Sequence, residues 1–196
     1  MKISLLTLAA LVIAGSAVYL LRADIAPAQD GPSFTADGQL MRPENYREWI
    51  YLSSGLGMTY GSTSDAPPGG NPRFDNVFVN PSAYKSFLQT GTWPDQTIFV
   101  LEVRASESKG SINNGGHFQG DIVSISAEVK DVKRFPNKWA FFTLSRSSLK
   151  GALIPASAAC YTCHPKNGAV DNTFVQFYPT LFEVAKRKGT LKVTAE

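Results

Sequence analysis

The stretch Cys160-Tyr161-Thr162-Cys163-His164 constrains this chain more than any other. Two thiols three positions apart, with a histidine directly after the second, form the attachment pattern of a c-type haem. The spacing lets both sulfurs reach the vinyl groups on one porphyrin edge while the next side chain swings beneath the iron. On this reading Cys160 and Cys163 become thioethers of one covalent haem c, and His164 is the proximal iron ligand. Two rival readings remain. A redox CxxC normally follows an early strand and opens a helix in a βαβ unit, whereas this motif lies late, after a β-rich region. A zinc centre needs four ligands; the chain has two cysteines and two histidines, and His117 and His164 stand far outside finger spacing.

With 196 residues, 43% of them apolar, the chain can bury a proper core, and one domain is expected. Its formal charge is +3, and the lysines and arginines are spread rather than clustered, so no nucleic-acid partner is expected. Residues 1–28 read as a targeting segment. Lys2 precedes the apolar run Ile3 to Leu21, and Ala26-Pro27-Ala28 supplies small residues for cleavage. Left uncleaved, that run is long enough to anchor the protein in a bilayer. Either route exports the cysteines to the periplasm, where c-type haem is attached in bacteria. With both cysteines used for haem, no disulfide is expected.

Residues 29–41 are polar and contain Gly and Pro, the composition of a linker, and the folded domain spans 42–196. Pro43-Glu44 opens a short helix in which Tyr46, Trp49 and Ile50 have core spacing. Gly55 to Asn71 reads as an exposed loop. Phe74 to Val79 is a strand stopped by Asn80-Pro81, Ala83 to Gln89 a helix ending before Gly91, and Thr97 to Ala105 a strand. A Gly-rich loop from Gly110 to Gly120 follows. Apolar and polar residues then alternate strictly from Val123 to Lys130, the pattern of a half-buried strand, and Trp139 to Leu144 is another. After the motif, Pro179 starts a last helix with Lys186-Arg187-Lys188 in its final turn and Gly189 as its stop. The fold class is therefore α+β, mainly antiparallel sheet with flanking helices. Electron-transfer cytochromes with an early motif and a later axial Met do not match, since no Met or His follows His164. Four-helix cytochromes carry a 3.6-residue period that is missing here.

In this order the chain resembles the cytochrome P-460 family, which includes cytochrome c′-beta. The resemblance rests on Asn45-Tyr46-Arg47-Glu48-Trp49, Phe78-Val79-Asn80-Pro81 with Tyr84, Gly116 to Asp121, Val129-Lys130-Asp131 with Lys133-Arg134-Phe135, Trp139-Ala140-Phe141, the haem motif, and Phe177-Tyr178-Pro179. It implies a β-rich fold, a homodimer and a five-coordinate haem c. One branch of the family oxidises hydroxylamine, using a lysine cross-linked to a haem meso carbon; the other lacks the cross-link and binds small gases such as nitric oxide. Leu101 stands at the position matching that lysine, and leucine supplies no nitrogen.

Period two puts Phe99, Leu101 and Val103 on one strand face, so Leu101 and Phe99 are the candidates for the distal pocket wall. The expected function is nitric oxide binding at an open iron site. Hydroxylamine oxidation, with electrons passed to a periplasmic cytochrome, is the alternative enzyme reading. Plain electron transfer is the third; it requires Met58 or His117 as sixth ligand.

Overall fold

The computed structural model describes residues 30–59 and 70–192; the expected signal or anchor segment lies outside the described residues. Seven strands form one antiparallel sheet in the order β1-β7-β6-β5-β4-β3-β2. The strands are β1 (Leu40–Met41), β2 (Ile50–Leu56), β3 (Phe74–Val79), β4 (Ile98–Glu107), β5 (Phe118–Lys130), β6 (Trp139–Leu144) and β7 (Lys150–Leu153), and the helices are α1 (Pro81–Thr90), α2 (Cys160–Asn167) and α3 (Pro179–Lys188). The fold class is the α+β arrangement that the sequence predicts.

Helices α1 and α3 begin on prolines and end at Gly91 and Gly189, both in the left-handed region. Asp30 caps α1 from a distance by accepting the Ser82 amide at 2.7 Å. The two helices cover one end of one sheet face. There Ala83, Phe87, Leu181, Val184 and Ala185 pack with Val79, Phe99 and Trp139 from the strands. The other sheet face buries Val100, Ile125, Val129 and Phe142 beneath Leu40, Tyr46 and Trp49. Residues 30–41 thus do not behave as a linker: Leu40 is fully buried, and β1 pairs with β7. The helix expected from Pro43 is a single 3-10 turn, Tyr46–Glu48, because Trp49 is already extended and leads directly into β2. Strand β2 occupies the start of the stretch read as a loop; residues 60–69 of that stretch lie outside the described residues.

A buried carboxylate ties the second face together. Glu102 of β4 is 2% exposed. It accepts from Arg47 Nη2 at 2.6 Å, from Arg104 Nε and from the Tyr46 hydroxyl. Burial alone pushes the Glu102 carboxyl up, but the hydrogen bonds from Tyr46, Arg104 and Arg47 outweigh it and hold the carboxyl below its ordinary value. Burial and the same contact push Tyr46 up to about 12. A depressed carboxyl stabilises the fold above its unfolded value of about 4.5 and loses that contribution as the pH falls. Glu102→Gln is therefore expected to lower stability near neutral pH by about 1–3 kcal/mol and to flatten the acid limb of the melting temperature, measured by circular dichroism from pH 7 to pH 3.

Candidate functional site

Cys160, Cys163 and His164 all lie on α2. Positions three apart fall on one helix face, so the two sulfurs project to the same side; both are free thiols and partly exposed. His164, on the adjoining side, is held from three directions. Its ring packs on Phe141 of β6 and on Phe174, with centroids 4.5 Å away in each case. Its Nδ1 donates to the Asn172 carbonyl at 3.1 Å. Glu128 Oε1 of β5 lies 3.2 Å from the same nitrogen. With Nδ1 carrying the proton, Nε2 keeps a free lone pair, the form of histidine that binds a metal.

A tight turn delivers the Asn172 carbonyl. Val170 and Thr173 form an antiparallel bridge around Asp171 and Asn172, whose φ values are 47° and 66°. Two successive positive φ angles define the mirror-image hairpin turn that Asp and Asn tolerate. Three contacts fix the turn. Lys130 pairs with Asp171, Trp93 Nε1 donates to Thr173 Oγ1 at 2.8 Å, and Gly168 lets the chain pass within van der Waals range. A Cβ on Gly168 would stand 2.5 Å from the Asn172 carbonyl carbon and 2.8 Å from the His164 oxygen.

Strand register places the remaining candidates. Phe99, Glu128 and Phe141 are cross-strand partners and form the row under His164. The next row along the same face is Val77, Leu101, Ser126 and Thr143, and it contains no titratable side chain. Leu101 is the diagonal neighbour of Glu128, a separation of about 7–8 Å. Phe99 is 4% exposed, its ring among Trp93, Trp139 and Tyr178, whereas Leu101 is only partly buried. Along that row Val77, Leu101 and Ser126 are partly buried and Thr143 is exposed. His117 precedes β5 at the end remote from Glu128, about 35 Å along an extended strand. Met58 follows β2 beyond Leu56, with its sulfur over Gly55 at the corresponding far end of the sheet. Neither side chain is brought near His164.

A family model described as Cytochrome P-460 matches residues 43–175. The chain belongs to the cytochrome P-460 family. No curated protein matches it. The cytochrome P-460 family binds haem, and the residues present fit that group: two thiols on one helix face, an imidazole with one nitrogen anchored and the other free, and beside it a sheet row of uncharged side chains, Val77, Leu101, Ser126 and Thr143.

Glu128, Asn172 and Gly168 were not singled out by the sequence. The adjacent Asp171-Asn172 pair was the one available signal, as a turn dipeptide. Burial pushes the Glu128 carboxyl up, opposed by the His164 imidazole 3.2 Å away and assisted by the nearby Asp171 charge. Gly168→Ala is expected to displace the turn and to lower stability by about 1–3 kcal/mol. Chemical denaturation checks the loss, and the shift of the His164 ring resonances by NMR checks its location; unmoved ring resonances would contradict the assigned contact.

Proposed function

We propose that the chain is an exported mono-haem c-type cytochrome that binds nitric oxide or a related small nitrogenous ligand at an open iron position. The carrying observation is the Leu101 row. That row, Val77, Leu101, Ser126 and Thr143, has no amine to cross-link a haem edge and no acid or base to move a proton; the acid of the adjoining row, Glu128, lies against His164 Nδ1. Distal polarity separates ligand binding from ligand activation. Cys160 and Cys163 would hold the haem covalently, and His164 Nε2 would be its protein ligand. The bound group supplies an iron centre with one position free for a diatomic ligand. Leu101 is the nearer candidate for the wall of that position; Phe99 supports it from the core. The remote placement of Met58 and His117 favours this reading over an electron carrier, and the missing lysine favours it over hydroxylamine oxidation. The homodimer and a periplasmic electron-transfer partner follow from the family resemblance and belong to the same proposal.

Protein matured with the c-haem assembly machinery is expected to gain one haem that survives acid-acetone extraction. Its ferrous absorption spectrum should be high-spin and five-coordinate, and unchanged in Met58→Ala and His117→Ala. An extractable haem, or a low-spin ferrous spectrum that either substitution converts to high-spin, would refute the proposal.

Hydroxylamine oxidation with an artificial acceptor should be slower than in a lysine-bearing relative by a factor of about 10² to 10⁴, the usual effect of one missing catalytic group. Leu101→Lys should bring an amine to the haem edge and, after oxidant treatment, shift the absorption band. An unfolded variant with an unaltered haem spectrum would instead place residue 101 in the core.

A further inference from the structure

Glu128 has no role in the alternating pattern that places it and none in ligand capture. Its side chain is 13% exposed, and among the described residues Oε1 has no well-aligned hydrogen-bond donor although no solvent reaches it. An unpaired buried carboxylate oxygen is costly, so its position calls for a physical reason. The nearest polar atom is His164 Nδ1 at 3.2 Å. The same nitrogen lies 3.1 Å from the Asn172 carbonyl, to which it donates. The ring nitrogen thus faces two acceptors at nearly equal range, one neutral and one able to carry charge. The neighbouring charges are already committed: Lys130 pairs with Asp171 and also donates to the Trp93 carbonyl at 2.7 Å. Among the described residues no Lys or Arg ion pair with Glu128 is present.

We propose that Glu128 is a positioning residue for the iron: it shares the His164 Nδ1 proton with the Asn172 carbonyl and makes the imidazole a stronger electron donor through Nε2. This rests on His164 being the haem ligand. A carboxylate at the far nitrogen of a ligating imidazole raises the basicity of the ligand, and hydrogen bonding of that kind is one of the levers on haem chemistry. A stronger donor stabilises ferric over ferrous iron, so the carboxylate holds the reduction potential down. The uncharged Leu101 row bears on what can happen to a bound ligand; Glu128 would act through the His164 ring, on how much electron density that ligand receives.

The test is Glu128→Gln in the haem-loaded protein, which keeps shape and an acceptor oxygen but removes the charge. The ferric/ferrous equilibrium is expected to move at least tenfold toward ferrous, an upward shift of about 59 mV for a one-electron couple. Resonance Raman of the ferrous state should show a lower iron–histidine stretching frequency. A merely structural role would move the melting temperature and leave that frequency in place. The wild-type protein supplies an independent measurement should the variant fail to fold. Its stretching frequency is expected between those of ferrous haem bound by neutral and by deprotonated 2-methylimidazole, and a value at the neutral limit overturns the inference. Haem attached through His164 with potential and frequency unchanged in Glu128→Gln also overturns it, while leaving the ligand-binding proposal intact. A protein that takes up no haem overturns that earlier proposal instead.

Discussion

The hydrogen bond from His164 Nδ1 to the Asn172 carbonyl is the contact on which the site depends. It fixes which imidazole nitrogen is free, and it does so with a backbone atom, whose position is set by the fold rather than by a rotamer. Everything around it serves to place that carbonyl. The Asp171-Asn172 turn is pinned to the sheet by Lys130, to the α1-side core by the Trp93–Thr173 bond, and to helix α2 by the absence of a side chain at Gly168. Each anchor comes from a different part of the chain, so the site forms only when β5, the segment after α1 and the region after the motif have all come together.

The two faces of the sheet solve different problems. On one, an N-terminal segment closes over apolar residues and a single buried glutamate, which two arginines and a tyrosine satisfy in full. On the other, two capped helices seal one end, and the remainder is left to whatever lies against His164. The first glutamate, Glu102, is surrounded by donors and serves stability. The second, Glu128, faces one imidazole and, among the described residues, pairs with no Lys or Arg. Two acids on neighbouring strands, pointing to opposite faces, thus meet opposite electrostatic fates.

Much of this was legible in the chain. Helices α1 and α3 were marked at both ends by proline and glycine, and β3, β4 and β6 by β-branched and aromatic runs. The motif contains the histidine that the fold anchors through Nδ1. What escaped notice follows from how burial works. β2 and β7 carry Ser, Gly and Lys and owe their extended form to pairing with neighbours rather than to their own preferences. In β5, strict alternation implies an apolar face inward and a polar face toward water, but here both faces have a covering. Glu128 therefore reads as a solvent-facing residue when taken from the pattern alone. Its interior position depends on Phe141 and on α2, which lie well away in sequence.

Helix α2 itself has an unusual place in this economy of contacts. It is eight residues long, carries a proline within it, and none of its residues is fully buried. Its attachments include the His164 ring, the Tyr161 ring on Phe141, a bond from the Tyr161 hydroxyl to the Ile154 carbonyl at 3.1 Å, and bonds donated by Gln176 Nε2 to the Asn167 carbonyl at 2.8 Å and by Lys192 Nζ to the Pro165 carbonyl at 2.6 Å. Local stability follows buried apolar contacts, and this helix contributes none that is fully enclosed. The two thiols therefore sit on the one helix of the three that has no buried side chain, so a group attached to them is joined to a segment placed by a few named ring and polar contacts rather than by an apolar flank.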